Sequence, residues 1–290
     1  MNTHAHLHVE ALGPVIGAVV HGVDLSKPMA DGAIADIRAA LLMHQVVFFE
    51  DQQLTPAQQR DFGARFGTLR IHPRLPKVAD VPEIVILDNH AGNPTNNDVW
   101  HTDATVTETP PLGTILRAVE LPPSGGDTMW SSMTAAYDAL SPSFRDFLAG
   151  HEAAHDFMVV TRALAGGALR FVRENPPAVH PVIRTHPETG RQAIFVNSGF
   201  TTSINSLEPG ESRAIMKFLH EHIQRPEFTV RWRWKPGSMA FWDNRCTQHF
   251  AVNNYLPHRR VMHQAVILGD KPFYRAAQGI RRDELHFPKA

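Results

Sequence analysis

The run Trp100-His101-Thr102-Asp103 sets an imidazole and a carboxylate two residues apart. On an extended segment, positions i and i+2 project from one face, so both groups can reach a single ion. A second histidine from elsewhere in the chain would complete a set of two histidines and one carboxylate. Such a set occupies one side of a metal and leaves the opposite coordination positions open, the arrangement associated with non-haem Fe(II) oxygenases. With 18 histidines present, a lone His-x-Asp is weak evidence. His249 strengthens it, because it follows Asp243-Asn244 at the end of a strongly β-like run, and strand ends are where site residues cluster.

Composition narrows the chemistry. Cys246 is the only cysteine, so the chain has no internal disulfide or thiolate cluster, and a metal must be held by His, Asp or Glu. Cys246 itself reads as a small semi-buried residue. A net charge of -1 offers no bulk attraction for nucleic acid or an anionic membrane, which leaves a small-molecule partner. Trp232, Trp234 and Trp242 then read as sheet packing and not as a platform for bases. No apolar run is long enough to span a bilayer, and Met1 to His8 contains no secretory segment, so a cytoplasmic location is expected.

The elements that must position these groups form one domain over 1–290, with no internal repeat and no linker-like block. Asp31 is placed to cap a helix carrying Ile34, Ile37 and Leu41, followed by the strand-like Val46 to Phe49. Thr55-Pro56-Ala57-Gln58 is a capping box opening a helix that ends near Gly67. Strands are predicted over Ile84 to Leu87, Leu112 to Leu121 and Arg259 to Leu268, with short helices around Ala135 and Phe144. Pro187 to Gly190 marks a hairpin between Pro181-Arg184 and Gln192-Val196. Glu208 to Gln224 is the clearest helix, with Ile215, Leu219 and Ile223 at i, i+4 and i+8. Thr229 to Trp234 and Ser238 to Trp242 surround a turn at Lys235-Pro236-Gly237, as a hairpin would. The expected architecture is mainly β with inserted helices around a double-stranded β-helix, or jelly-roll, core.

Taken together, Trp100 to Asp103, Gly125-Gly126-Asp127-Thr128, Phe228 to Trp234, Trp242 to Arg245, Thr247 to His249 and Tyr255 to Tyr274 resemble the taurine dioxygenase family of Fe(II)- and 2-oxoglutarate-dependent oxygenases. The similarity runs over nearly the whole chain. It implies iron ligation by His101, Asp103 and His249, and binding of the distal carboxylate of 2-oxoglutarate by Arg260 assisted by Thr128. A guanidinium matches a carboxylate bidentately, and a nearby hydroxyl can donate one further bond, which suits those two residues to the task. The implied reaction consumes O2 and 2-oxoglutarate, releases succinate and CO2, and hydroxylates a substrate C–H. Iron halogenases of related type lack the carboxylate ligand, so the presence of Asp103 argues for hydroxylation. The family also implies association as a homodimer or homotetramer. A non-catalytic metal-binding jelly roll, a zinc hydrolase built on the same ligands, or a 2-oxoglutarate sensor are the competing readings.

For the substrate, the resemblance points to His72, Asn97 and Gln264. Arg260, Met262 and Gln264 alternate along one strand and share a face. Taurine dioxygenases carry an arginine at the Gln264 position to hold the sulfonate. Replacing that charge by a neutral amide should cost on the order of 2 kcal/mol or more, which favours a small organic acid of the sulfonate class other than taurine. Leu75 and Thr161 stand where aromatics are expected, and Arg74, Arg162 or Arg170 could restore a charge. Residues 158–175, with Gly166-Gly167, are expected to form a lid.

Overall fold

The computed structural model describes residues 7–94, 97–157 and 176–276. The expected lid at 158–175, with Thr161, Arg162, Gly166-Gly167 and Arg170, lies outside the described residues.

The N-terminal third builds the back of the molecule. Strands β1 (His8–Ala11) and β2 (Ala18–His21) precede helix α1 (Asp31–His44), which buries Ile34, Ile37, Ala40 and Leu41 along one stripe. Ala30 takes the N-cap position, and Asp31 sits one residue inside, where its carboxylate meets the positive end of the helix dipole. Strand β3 (Val46–Phe49) follows, then α2 (Pro56–Ala64). As the sequence predicts, Thr55 and Gln58 cap α2 reciprocally, with Gln58 N donating to Thr55 Oγ1 at 3.2 Å and Thr55 N to Gln58 Oε1 at 2.8 Å.

The remaining strands are β4 (Lys77–Val78), β5 (Val81–Asn89), β6 (Gly113–Glu120), β7 (Thr128–Ser132), β8 (Glu152–His155), β9 (Ala178–Pro181), β10 (Ile183–Thr185), β11 (Gln192–Ile194), β12 (Thr201–Ile204), β13 (Thr229–Trp232), β14 (Met239–Asp243), β15 (Thr247–Ala251) and β16 (Arg260–Ile267). Helices α3 (Met133–Asp138) and α4 (Pro142–Leu148) lie between β7 and β8, and α5 (Pro209–His222) between β12 and β13. β10 and β11 form the hairpin expected around Pro187 to Gly190.

An eight-stranded sheet runs in the order β1-β2-β3-β14-β6-β16-β5-β4, and a three-stranded sheet in the order β13-β7-β15. From β13 to β16 consecutive strands alternate between the two sheets, which is the winding of a jelly roll. The expected β13–β14 hairpin therefore does not form. β13 pairs with β7, while β14 pairs with β3 and β6, and the turn at Lys235 to Gly237 carries the chain across the gap.

Alternation along the large sheet sorts its side chains into two cores. Val47, Phe49, Met239, Phe241, Ala265 and Ile267 pack against α1 and α2. Their neighbours Val46, Phe48, Ala240, Trp242 and Met262 point the other way, onto Trp130 of β7 and Trp232 of β13. Trp232 stacks on Phe48 with ring centroids 4.2 Å apart, so the tryptophans fill the space between the sheets as expected. A third core joins α3, α4 and α5 to β10 and β11.

Candidate metal centre and adjoining anion site

His101 and His249 are brought together by backbone pairing. His101 N donates to His249 O at 3.0 Å and His249 N to His101 O at 2.8 Å, an isolated antiparallel bridge at the edge of β15. Asp103, two residues on, projects to the same side. Its Oδ1 lies 3.9 Å from His101 Nε2 and 3.7 Å from His249 Nε2, separations that suit three ligands sharing one ion. Gly199 packs behind His101, where an added Cβ would come within 2.8 Å of the histidine Cβ.

The donor set fits a metal in its protonation states as well as its spacing. His101 Nδ1 donates to Val99 O at 2.7 Å, which fixes the tautomer and leaves the Nε2 lone pair facing Asp103. Burial and the neighbouring His101 hold the His249 imidazole neutral, with its pKa down to about 3. Asp103 is largely withdrawn from water, which opposes its ionisation, but both histidines and the hydrogen bonds from Thr114 and Asn244 hold its carboxyl below the usual range. Two imidazoles and one carboxylate form a hard-to-borderline set suited to Fe(II).

His186, Asp243 and Cys246 also converge. There the carboxylate is already consumed: Arg245 donates through Nε to Asp243 Oδ1 at 2.8 Å and through Nη2 to Oδ2 at 2.6 Å, and His186 Nε2 lies 3.0 Å from Oδ2. Burial pushes the Cys246 thiol well above its usual range. This cluster is a closed ion-pair network, and Cys246 is a buried thiol, more enclosed than the semi-buried residue expected.

One narrow cavity joins Asp103 and His249 to Thr128, Arg260, Asn97 and Gln264. Arg260 is 5 % exposed, and among the described residues no carboxylate lies within ion-pair distance of it. Asp127, whose charge acts on Arg260, is engaged by Arg231 at 2.7 Å. Burial lowers the Arg260 pKa to about 10, so the guanidinium remains charged at neutral pH and awaits an anion. Nε donates to Gly126 O at 3.0 Å and Nη2 to Thr128 Oγ1 at 3.4 Å, while the group sits 5.9 Å from the Trp234 ring. Gly126 has φ +71°, and a Cβ there would meet Arg260 Cδ at 3.0 Å, so glycine permits the close approach. Trp234 Nε1 also donates to Thr128 Oγ1, at 3.0 Å. With its oxygen accepting from both, the Thr128 hydroxyl keeps its proton for an incoming acceptor.

Of the three expected substrate residues, Gln264 and Asn97 line the cavity and His72 does not. His72 Nδ1 instead accepts from the backbone N–H groups of Arg74 and Leu75, at 3.2 and 3.0 Å, and so closes its own turn. Trp234, Thr114 and Asn89, which also lines the cavity, were not singled out from the sequence as site residues. Asn89 pairs with Arg260 across the β5–β16 ladder, a register that no local sequence signal reveals.

Residues 8–266 match the model of the family described as "Taurine catabolism dioxygenase TauD, TfdA family". The chain belongs to the TauD/TfdA family. Similarity to other members of the TauD/TfdA family extends over most of each chain. An alpha-ketoglutarate-dependent sulfate ester dioxygenase of Pseudomonas putida is 34% identical over 276 residues, covering 92% of this chain and 91% of the relative. A solved structure of a putative alpha-ketoglutarate-dependent taurine dioxygenase from Burkholderia xenovorans superposes with a TM-score of 0.82 at 39% identity, covering 92% of this chain and 94% of that one. AAD-2, solved in complex with Mn(II) and N-oxalylglycine, superposes with a TM-score of 0.81 at 28% identity, covering 92% and 98%. Membership of the TauD/TfdA family places the chain among the Fe(II)- and 2-oxoglutarate-dependent dioxygenases and sets aside the non-catalytic alternatives. It also agrees with the jelly-roll winding, whose sheets remain open at their edges.

Proposed function

We propose that the chain hydroxylates a small organic sulfonate or sulfate ester other than taurine, with Fe(II) held by His101, Asp103 and His249. The observation that carries this proposal is the single cavity in which an uncompensated buried arginine shares walls with the metal-ligand candidates. In this reading a dicarboxylate would place one end at the metal and the other on Arg260 and Thr128, which line the same cavity as Asp103 and His249. N-oxalylglycine, present with Mn(II) in the AAD-2 structure, has the same two carboxylates as 2-oxoglutarate. When bound, the iron couples decarboxylation of 2-oxoglutarate by O2, yielding succinate and CO2, to insertion of one oxygen atom into a substrate C–H bond. The residues of the chain bind, orient and exclude water.

For the substrate, Asn97 and Gln264 supply neutral amide donors and acceptors. The name of the Pseudomonas putida relative supports a sulfate ester as a member of the class. Gln264, where taurine dioxygenases hold the sulfonate by an arginine, weighs against taurine. Residues 1–290 are taken as one catalytic domain because β1, which starts at His8, and β16, which ends at Ile267, belong to the same eight-stranded sheet. Self-association as a homodimer or homotetramer and a cytoplasmic location are part of the same proposal, resting on family habit and composition. No helix among the described residues is long and apolar enough to cross a membrane.

The test is a screen of alkyl sulfates, alkyl sulfonates including taurine, carboxylates and aryloxy acids for substrate-dependent succinate formation. A sulfate ester or non-taurine sulfonate should turn over best, and Gln264→Arg should gain taurine turnover. Tight taurine-dependent succinate formation by the wild-type chain would overturn the role given to Gln264. Turnover of carboxylates alone would overturn the substrate class.

A further inference from the structure

Asp103 has two oxygens, and the structure treats them differently. Oδ1 faces both imidazoles, whereas Oδ2 accepts from Thr114 Oγ1 at 2.7 Å and from Asn244 Nδ2 at 3.3 Å. Thr114 stands on β6 and Asn244 in the turn between β14 and β15, so the two donors come from different elements. Both residues are buried, Thr114 completely.

The direction of every bond in this group follows from one indole. Trp242 Nε1 can only donate, and it donates to Asn244 Oδ1 at 3.0 Å. The Asn244 amide is thereby oriented with its NH2 toward Asp103 and Thr114, and Nδ2 donates to Thr114 Oγ1 at 2.9 Å. Having accepted that bond, the Thr114 hydroxyl has its single proton left for Asp103 Oδ2. The relay Trp242 to Asn244 to Thr114 to Asp103 has no alternative polarity.

On the premise that Asp103 is a metal ligand, we propose that Thr114 and Asn244 are positioning residues that restrict it to one metal-bound oxygen. With Oδ2 saturated by two donors, the carboxylate cannot swing to chelate the ion through both oxygens. A coordination position that a bidentate carboxylate would take would thus stay available to the cosubstrate when the metal is bound. Thr114 is matched to this task by size and polarity: valine would fill the same space without the donor.

The test compares wild type, Asp103→Ala, Thr114→Val, Thr114→Ser and Asn244→Ala, loaded with Co(II) in place of Fe(II). Co(II) affinity is measured by calorimetric titration, and coordination number by the intensity and energy of the Co(II) d–d absorption bands. Thr114→Val and Asn244→Ala are expected to shift the d–d bands and to weaken Co(II) binding about tenfold or more, the range seen when partners of metal ligands are lost. Thr114→Ser should restore both. Circular dichroism melting identifies any variant that fails to fold, and the serine and valine variants then decide between themselves. Weakened binding in Asp103→Ala with an unchanged spectrum and affinity in Thr114→Val would overturn this positioning role alone. Unchanged binding in Asp103→Ala would overturn the ligand assignment on which it rests.

Discussion

His101 and His249 exchange both of their backbone hydrogen bonds across a one-residue bridge, at 3.0 and 2.8 Å. Their side chains are therefore forced to one face and their ring centroids to 4.1 Å, before any ion binds. The 148 positions separating them in sequence are closed by the fold, and the ligand geometry is fixed by the backbone of both partners.

Arg260 should govern cosubstrate binding without governing the metal. Losing its charge-assisted contacts to a buried carboxylate should cost about 3 kcal/mol, so Arg260→Ala is expected to raise the 2-oxoglutarate dissociation constant roughly 100-fold. Thr128→Val should raise it roughly fivefold, corresponding to about 1 kcal/mol for one hydroxyl donor. Anaerobic titration followed by the visible Fe(II)–2-oxoglutarate charge-transfer band measures both. An unchanged constant in Arg260→Ala would remove Arg260 from the cosubstrate site.

Acid should destabilise the fold through His155. This residue is fully buried, its Nδ1 is 3.0 Å from Thr105 Oγ1, and its Nε2 has no hydrogen-bond partner among the described residues. Burial first, and His180 second, lower its pKa from 6.5 to about 3. Between those values the unfolded chain binds a proton that the native chain does not. Stability is therefore fully present above pH 6.5 and falls as the pH drops toward 3, by up to about 1.4 kcal/mol per pH unit from this residue. Urea unfolding of the metal-free protein from pH 7 to 4 should show this slope, and His155→Gln should flatten it. An equal slope in the variant would contradict a neutral buried His155.

Arg245 should matter for folding and not for metal chemistry directly. Arg245→Met leaves the Asp243 carboxylate, which is 0% exposed, with only His186 and the local backbone as partners, and should cost about 3–5 kcal/mol. Adding Asp243→Asn should recover part of that loss, because the amide carries no charge to desolvate. Denaturant midpoints of the single and double variants check this; a double variant less stable than Arg245→Met would show that the ion pair is not the source.

Much of this was legible in the chain because the relevant signals are local. The capping box at Thr55 and Gln58, the hairpin at Pro187 to Gly190 and the His101-x-Asp103 spacing each depend on a few consecutive residues. The alternation that sends Arg260 and Gln264 to one face survives because the register shift beside β16 falls on β6, at Val119, and leaves β16 regular against β5. What could not be read depends on register between distant strands. Thr114 reaches Asp103 only because β6 lies beside β14, and Trp234 reaches Thr128 only because β13 pairs with β7, with Trp232 opposite Thr128, before the chain crosses between sheets at Lys235 to Gly237. The same crossing defeated the expected β13–β14 hairpin, since a Pro-Gly turn marks a change of direction without saying which strand is met next. That His72 closes its own turn could not be read either, because such a contact leaves no periodic trace.

Placing Arg260 and Gln264 on one regular strand, four residues and about 13 Å apart, has an evolutionary consequence. The position that meets the substrate can vary while the cosubstrate anchor stays in place, because neither side chain supports the other. Every glutamine codon is a single base change from an arginine codon. A population carrying this gene can sample anion recognition at residue 264 in one mutational step without passing through an enzyme that has lost its oxidant.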